Sequence, residues 1–439
     1  MEQIIIHGSG SELQGVGRLA DGRAVFVPGA LPGEKINIEI TKSADRFCEG
    51  RLVEIIEPSP RRVQPDCSHA GICGGCQARH MDYAFSLEQK RQKVYDALKR
   101  IGGVEDPTVF DTIGCEDPNH TRNKAEYPIA EAGGKMVIGA YAGNSHRVIP
   151  LENCLLQNKE SLKALKWFSE NLNRLPGAKH LKFLVTRVNR EGEMLVTLSG
   201  DAPILTEAKK IGEALKKAAP SVKSLFFCQL NRRFAHALDG KCTHLDGLAT
   251  LSDVLLGLKF ELAPQAFFQI NPVQTEKLYT KALEAAGLTE GRKGRVLDAY
   301  CGAGTITLSA ARHADYAVGI EIVAPAIENA KRNAAANGLA KNTRFICADA
   351  AKEIPRLIST GERFDAAILD PPRKGADEAL LTSLIKSKVP VISYVSCNPA
   401  TLARDVKILT AGGYHLEWAQ PVDMFPGTSH VETSACLKR

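Results

Sequence analysis

The feature that most restricts the fold of this 439-residue chain is a regular alternation of strand and helix patterns from residue 264 to the C-terminus. Short apolar stretches predicted as buried strands are separated by helical patterns, and these stretches lie at residues 295–298, 316–320, 366–370 and 390–395. Strands that alternate with helices pack as a mostly parallel sheet with helices on both faces. The pattern therefore predicts a doubly wound α/β domain over residues 265–439.

Acidic residues follow several of these strands, at the edge where ligands bind in such sheets. The Gly-rich turn at residues 302–305 lets the backbone approach a bound nucleoside closely, and a helix begins beside it. Glu321 ends the next strand, where a carboxylate can accept hydrogen bonds from both ribose hydroxyls. Asp349 follows a third strand and can meet the adenine, and Asp370 ends a fourth. A dinucleotide is the alternative ligand, but the third glycine of its fingerprint is absent after the turn. We therefore predict an S-adenosylmethionine site.

A fifth strand brings Cys397, within Ser-Cys-Asn-Pro at residues 396–399, to the same edge. A thiolate that adds to carbon 6 of uracil makes carbon 5 nucleophilic enough to attack a sulfonium methyl group, and a base must then remove the carbon 5 proton. Cys397 is interpreted as that nucleophile and Glu432 as that base. A cysteine thiol is only slightly ionised at neutral pH, and Arg373 or Lys374 would increase the ionised fraction if either lies close.

Four of the twelve cysteines are spaced like metal ligands. Cys67, Cys73 and Cys76 lie in a segment rich in glycine and polar residues, and Cys154 follows much later. One Cys-x-x-Cys pair with two single cysteines suits an iron-sulfur cluster. Zinc more often takes two such pairs or a mixture of Cys and His, and it stays open as an alternative because of His69 and His80, as do unliganded cysteines. Other cysteines have no partner spacing and are predicted to be small buried residues: Cys48, Cys115, Cys228, Cys242, Cys347 and Cys436.

The first half of the chain predicts two further units. Residues 1–58 alternate short β-prone runs with Gly and Pro turns, which is typical of a small β-barrel. Residues 59–264 contain the cysteine segment, a helical pattern at residues 86–101 and then mixed strands and helices. This second unit is predicted to be an α+β domain without a catalytic motif.

Composition limits the partners and the location of the protein. The formal net charge of +6 is compatible with a nucleic-acid partner but does not require one. No run of about 18 apolar residues occurs in the sequence. Residues 1–10 lack the basic start and the apolar stretch of a signal peptide. We expect a cytoplasmic protein with no membrane partner.

With these motifs in hand, the chain closely resembles the RNA 5-methyluridine methyltransferases, in particular the bacterial enzymes that modify 23S ribosomal RNA. The resemblance covers essentially the whole length. It rests on an N-terminal segment similar to a TRAM domain, on the four cysteines and on motifs at residues 267–272 (Phe-Phe-Gln-Ile-Asn-Pro), 370–373 (Asp-Pro-Pro-Arg), 396–399 and 430–433 (His-Val-Glu-Thr).

This resemblance implies a multidomain protein with an OB-like β-barrel (TRAM) over residues 1–58, a central α+β domain with an iron-sulfur site over residues 59–264, and a C-terminal α/β Rossmann-like methyltransferase domain over residues 265–439. The helix at residues 86–101 can pack with the catalytic domain in such proteins, which leaves that boundary open. The residues implied to contact S-adenosylmethionine are Gln269, Tyr300, Glu321, Asp349 and Asp370.

The resemblance also implies Cys397 as the nucleophile and Glu432 as the base. A 4Fe-4S cluster is implied on Cys67, Cys73, Cys76 and Cys154. We therefore expect a monomeric enzyme that methylates carbon 5 of a uridine in RNA, with 23S rRNA as the expected substrate.

Other functions are compatible with parts of the sequence. The same reaction on a transfer RNA uridine would use the same catalytic motifs. A methyltransferase that acts on the adenine amino group also uses an Asp-Pro-Pro element, but an aromatic residue follows that element where this chain has Arg373. A non-catalytic ribosome-binding protein would explain the barrel and the cysteines, but it would leave the acidic residues at the strand ends unexplained.

Overall fold

The protein is built around a small barrel and two large sheets, in a computed structural model that describes residues 1–288 and 294–439. The barrel strands are β1 (Glu2–Ser9), β2 (Gly15–Arg18), β3 (Ala24–Val27), β4 (Lys35–Ser43) and β5 (Phe47–Glu57). They close in the order β1-β2-β3-β5-β4, with β3 parallel to β5. Alternate residues, among them Ile4, Val25 and Ile38, fill the interior. The predicted barrel is confirmed.

A long helix, α1 (Tyr83–Arg100), follows the cysteine segment. Asp82 caps its start by accepting a hydrogen bond from the backbone N–H of Phe85 at 2.8 Å. Lys99 and Arg100 in the last turn complement the negative end of the helix dipole. The helix is therefore three residues longer at its start than the pattern at residues 86–101 predicts. In the described part of the chain, neither this helix nor any other is long and apolar enough to cross a membrane.

The central sheet has seven strands with two helices packed on it, which is the α+β arrangement that the pattern predicts. Its strands are β6 (Lys124–Ala132), β7 (Lys135–Tyr141), β8 (Val148–Pro150), β9 (Leu181–Val188), β10 (Met194–Gly200), β11 (Val222–Leu230) and β12 (Gly240–Gly247). The helices are α2 (Lys159–Asn171) and α3 (Leu205–Ala218). The strand order is β12-β11-β10-β9-β6-β7-β8. A hairpin of β13 (Leu251–Leu255) and β14 (Leu258–Leu262) leads to the last part of the chain.

The C-terminal sheet has seven strands separated mostly by helices. Its elements are α4 (Pro272–Ala285), β15 (Arg295–Asp298), α5 (Thr305–Ala311), β16 (Tyr316–Glu321), α6 (Ala324–Ala336), β17 (Thr343–Cys347), α7 (Ala350–Ser359), β18 (Ala366–Leu369), α8 (Glu378–Ser387), β19 (Val391–Ser396), α9 (Pro399–Ala411), β20 (His415–Val422) and β21 (Glu432–Lys438). The strand order is β17-β16-β15-β18-β19-β21-β20.

Strands β15 to β19 are parallel, so their carboxyl ends meet at one edge of the sheet. Strand β21 lies between β19 and β20 and runs antiparallel to both. The predicted parallel sheet is confirmed, but this reversed insertion was not predicted because an apolar pattern does not reveal the direction of a strand. As a consequence, the first residue of β21 lies at the edge where the parallel strands end.

Helix α1 packs against α9 of this last sheet, although the two are far apart in sequence. Val94 and Leu98 of α1 belong to the same buried cluster as Leu402 and Val406 of α9. Through this packing, α1 is part of the same hydrophobic core as the C-terminal sheet.

Candidate active site and cysteine cavity

The two residues predicted to carry out the chemistry lie side by side. Ser396, the last residue of β19, pairs with Thr433 of β21. Because the two strands are antiparallel, the residue after Ser396 and the residue before Thr433 lie at the same place on the sheet edge. These residues are Cys397 and Glu432. Strand pairing alone therefore brings a thiol and a carboxylate together.

The environment of Cys397 disfavours its ionised form. Burial raises the pKa of this thiol to about 11, and the nearby carboxyl groups of Glu432 and Asp370 contribute in the same direction. Arg373 acts against this shift and is a cation close enough to the thiol to affect it. At neutral pH, Cys397 in the protein alone is therefore a protonated thiol.

Glu432 is buried at the same sheet edge. Burial and the carboxyl group of Asp370 raise the pKa of its carboxyl group to about 8, although Arg373 acts to lower it. A general base works best when its pKa lies close to the operating pH, because it then accepts a proton readily and is still partly ionised. Glu432 thus has the proton affinity that the predicted base requires.

Asp370 lies beside both residues, at the end of the neighbouring strand. Leu369, just before it in β18, pairs with Tyr394 of β19. Burial and the carboxyl group of Asp298 raise the pKa of Asp370 to about 7. A hydrogen bond joins the segment after Asp370 to the residue that follows Cys397: Asn398 Nδ2 donates to the carbonyl oxygen of Arg373 at 3.4 Å.

Glu321 and the Gly-rich turn form the next part of the same edge. The carboxylate of Glu321 accepts hydrogen bonds from the backbone N–H groups of Val323 at 2.9 Å and Gly302 at 3.2 Å. Gly304 has a φ of +87°, and a Cβ atom there would come within 3.1 Å of Ala330 Cβ. Glycine is therefore required at position 304 for both conformation and space.

The other predicted cofactor residues border this edge less directly. Tyr300 is half-buried, and burial raises the pKa of its phenol, with the carboxyl groups of Asp377 and Asp349 adding to the shift. Asp349 caps α7 by accepting a hydrogen bond from the N–H of Ala351 at 3.0 Å, so a structural role is already visible for it. Gln269 precedes α4 and lies against the hydroxyl group of Tyr279.

Two further residues of the crevice were missed as site residues. Tyr279 on α4 is buried, and its hydroxyl group lies 3.4 Å from Thr305 Oγ1. Asp298 accepts a hydrogen bond on Oδ2 from Thr307 Oγ1 at 2.6 Å, while its buried Oδ1 has no partner within the described residues. The position of Asp298 at the end of a predicted strand was a usable signal, whereas an aromatic residue inside a helix predicts ordinary core packing. A crevice lined by carboxyl groups, one of them incompletely hydrogen-bonded, fits a ligand with a positive charge and hydroxyl donors.

The four cysteines predicted as metal ligands come together outside this crevice. Cys67, Cys73, Cys76 and Cys154 all line one cavity of about 670 Å³. His69 also lines it, but His80 is not among its lining residues. Within residues 1–288 and 294–439, no group of three or more His, Cys, Asp or Glu side chains lies close enough to hold a single metal ion.

Two arginines face these thiols from the same cavity. The Nε atoms of Arg79 and Arg122 and Nη2 of Arg79 are buried without a hydrogen-bond partner in the described part of the chain. Burial lowers the pKa of Arg122, and the facing thiols, chief among them Cys76 and Cys154, oppose that shift. Buried guanidinium groups with free donors would be stabilised by an anionic group bound between the cysteines.

The remaining cysteines follow their prediction only in part. Cys48, Cys228 and Cys436 are buried, and Cys115 and Cys242 are half-buried. Cys347 is exposed, so its predicted burial is wrong; it is the last residue of β17, which forms the edge of the sheet. Cys228 and Cys242 stand directly opposite each other on β11 and β12, a pairing that sequence spacing could not reveal.

The comparisons with known proteins agree with this architecture. The family described as tRNA (uracil-5-)-methyltransferase matches residues 82–439, and the TRAM domain family matches residues 2–53. A relative from Caldanaerobacter subterraneus subsp. tengcongensis, named as an uncharacterized RNA methyltransferase, is 40% identical over 446 residues. The match covers 100% of this chain and 98% of the relative. A relative of the same description from Halalkalibacterium halodurans is 41% identical over 427 residues, with 95% of this chain and 93% of the relative covered.

A solved structure with the same fold is also similar over the whole length. It is the Pyrococcus abyssi tRNA (uracil-54, C5)-methyltransferase in complex with S-adenosyl-L-homocysteine, with a TM-score of 0.76, 25% identity and coverage of 99% of this chain and 100% of that one. The family match spans most of the chain. The thiol and carboxylate that meet at the sheet edge agree with the chemistry of uracil-5 methylation. The chain therefore belongs to the tRNA (uracil-5-)-methyltransferase family and is an S-adenosylmethionine-dependent RNA (uracil-C5)-methyltransferase.

Proposed function

We propose that the protein methylates carbon 5 of a specific uridine through a covalent adduct between Cys397 and carbon 6 of the uracil, and that the substrate is 23S rRNA. The observation that carries the catalytic part of this proposal is the pairing of β19 with β21, because it brings Cys397 next to Glu432 at the ligand-binding edge. The uridine has to leave its base stack to reach this edge, which is least costly in a single-stranded loop.

In the first step, the Cys397 sulfur bonds to carbon 6, and the electron pair of the 5,6 double bond makes carbon 5 nucleophilic. The thiol has to give its proton to solvent water before this attack. Arg373 assists because its positive charge opposes the effects of burial and of the neighbouring carboxyl groups on the pKa of Cys397. S-adenosylmethionine supplies the methyl group on a positively charged sulfur.

In the last step, Glu432 takes the proton from the methylated carbon 5, and the electrons of that C–H bond reform the double bond as the bond between carbon 6 and sulfur breaks. The released Cys397 thiolate is then ready to regain a proton. The raised pKa of Glu432 supports this role, since a carboxylate of ordinary acidity would bind the proton much less well.

The residues proposed to hold S-adenosylmethionine surround the same crevice. We propose that Glu321 binds the ribose hydroxyls, that Asp349 lies at the adenine and that Asp370 lies near the sulfonium group. Gln269 and Tyr300 complete the proposed set. The support for this assignment is the position of the three carboxylates after successive parallel strands, together with the required glycine at position 304.

We propose that Cys67, Cys73, Cys76 and Cys154 hold a 4Fe-4S cluster. A shared cavity of about 670 Å³, with two half-buried arginines that have buried donors without partners in the described residues, supports an anionic group with several thiolate ligands. A single zinc ion would need sulfurs that converge to about 2.3 Å from it, and the described residues contain no such group of three or more ligands. Bound there, the cluster would link the cysteine segment to the central sheet and stabilise both.

Transfer RNA is the second candidate substrate. It is favoured by the description of the matching family and by the substrate named for the Pyrococcus abyssi enzyme. The proposal of 23S rRNA rests on the resemblance of the full set of motifs, including the barrel and the four cysteines, to bacterial enzymes that act on it.

Replacing Arg373 with Gln should raise the pKa of the Cys397 thiol and slow its alkylation by iodoacetamide at pH 8.5 about two- to fivefold, as expected for a cation that is partly screened by solvent. The rate is measured from the Cys397 peptide by mass spectrometry. Lys374→Gln is the matched control and should leave the rate unchanged. Equal slowing in both variants would contradict the assignment of Arg373.

Replacing Glu432 with Gln should leave attack and methyl transfer intact but block release of the product, because an amide cannot accept the carbon 5 proton. A protein–RNA adduct that carries the methyl group should then persist on denaturing gels. Cys397→Ala should form no adduct and no product while still binding S-adenosylmethionine. Free methylated RNA from Glu432→Gln at the wild-type rate would assign the base to another group.

Protein purified without oxygen should be brown and contain about four iron and four sulfide per chain, as expected for a 4Fe-4S cluster. Cys76→Ser should lose the colour because one thiolate ligand is removed. The exposed Cys347 lies outside the cavity, so Cys347→Ser should keep both colour and iron. Stoichiometric zinc in colourless protein would overturn the cluster.

RNA from a strain that lacks the gene should have lost 5-methyluridine at one or more positions of 23S rRNA and retained it in transfer RNA. Mass spectrometry of the nucleosides from each purified RNA provides the measurement, with a strain that expresses Cys397→Ala as the catalytic control. Loss confined to transfer RNA would establish the second candidate instead.

A further inference from the structure

The loop between β20 and β21, residues 423–431, is fastened at its start by a buried ion pair. Lys90 of α1 and Asp423 both have fully buried side chains, and Lys90 Nζ lies 2.5 Å from Asp423 Oδ1. The hydroxyl group of Tyr83 donates to Asp423 Oδ2 at 2.8 Å. Lys90 Nζ also donates to the carbonyl oxygen of Phe425 at 3.1 Å. Both carboxylate oxygens of Asp423 are therefore hydrogen-bonded, and the first residues of the loop are held against α1.

A second lysine of α1 holds the far end of the same loop. Lys93 Nζ donates to the carbonyl oxygen of Ser429 at 3.0 Å, three residues before Glu432. Tyr83, Lys90 and Lys93 share one side of the helix, because residues three and seven positions apart lie about one and two turns from each other on the same face. One face of α1 is thus hydrogen-bonded to both ends of the loop that precedes the proposed base.

The same helix is also fixed to the element that follows the proposed nucleophile. Helix α1 packs against α9, and α9 begins at Pro399, two residues after Cys397. Asn398 caps α9 by accepting a hydrogen bond from the N–H of Ala400 at 3.0 Å. Helix α1 therefore contacts both the chain segment after Cys397 and the chain segment before Glu432.

A buried ion pair is a costly way to gain stability. Removing two charges from water costs several kcal/mol for each ion, and apolar residues of similar volume often stabilise a fold equally well. What the pair provides is directional hydrogen bonding, because the Lys90 ammonium group donates to a carboxylate and to a carbonyl oxygen in one fixed arrangement. The contacts of Lys90 accordingly suit a role in fixing the position of the loop.

We propose that Lys90, Lys93 and Asp423 are positioning residues that hold Glu432 in place against Cys397. They act through the loop at residues 423–431 and do not touch the substrate themselves. This inference rests on the proposed role of Glu432 as the base. A displaced base slows proton removal, whereas attack by Cys397 and methyl transfer precede that step.

The test uses the full-length enzyme and a target RNA in single turnover, with the persistent adduct and the released product both counted per S-adenosylmethionine-binding site. The double variant Lys90→Met/Asp423→Asn removes both charges and leaves no buried ion unpaired. We expect its release step to slow about 10- to 100-fold, as expected for a misplaced catalytic group, so that methylated adduct accumulates. The affinity for S-adenosylmethionine should stay unchanged.

A single variant and its control test the positioning role without disturbing the buried ion pair. Lys93→Met removes a bond to a backbone carbonyl and a positive charge near Glu12, and it should shift the balance from product to adduct in the same direction by a smaller factor. Lys99→Met is the matched control, because Lys99 is on the same helix but lies over the ring of Tyr95 and away from the loop. It should release product at the wild-type rate.

Glu432→Gln in the same assay separates the two proposals. If Glu432→Gln forms no persistent adduct, the assignment of the base is wrong, and the positioning role is lost with it. If Glu432→Gln accumulates adduct but the double variant and Lys93→Met release product normally, the positioning role alone is overturned. A double variant that no longer binds S-adenosylmethionine leaves Lys93→Met to decide the question by the same criterion.

Discussion

The antiparallel pairing of β21 with β19 is the constraint on which the site depends. Six residue pairs fix the register of the two strands, from Val391 opposite Lys438 to Ser396 opposite Thr433. A slip of one residue would move Glu432 by about 3.3 Å and turn its side chain to the other face of the sheet. Because β21 is also paired with β20 on its other side, such a slip would break both sets of hydrogen bonds. The separation of the proposed nucleophile and the proposed base is thus set by the pairing of the backbone strands.

Without a ligand, the crevice formed in this way disfavours the ionised forms of the acidic groups that line it. Burial raises the pKa values of Asp370, Glu432 and Cys397, so each group holds its proton more tightly than it would in water. Arg373 offsets this effect only in part, because it is exposed to solvent. A positively charged ligand in the crevice would favour the ionised forms of all three groups. The site is therefore suited to bind a sulfonium compound and to become more reactive when it does so.

The sequence allowed much of this site to be predicted, because the ends of apolar strands are visible in it. Glu321, Asp370 and Cys397 lie at the sheet edge where their positions after apolar runs indicate. The direction of β21 was not predictable, since antiparallel and parallel strands have similar short apolar patterns when both are buried. The pair of Lys90 and Asp423 was also hidden: a lysine in a helix predicts solvent exposure, and 333 residues separate it from its partner. Contacts of this kind depend on tertiary packing, which a local pattern does not encode.

The loop at residues 423–431 joins parts of the protein that otherwise look like separate modules. Ser429 Oγ donates to Glu12 of the barrel at 2.7 Å, and the carbonyl oxygen of Gly427 accepts from the N–H groups of Gln77 and Ala78 in the cysteine segment, each at 3.0 Å. A methyltransferase sheet transplanted without these partners would retain its strands but lose the surroundings of its loop. In this protein, exchange of the barrel, the cysteine segment or this loop alone would break these hydrogen bonds.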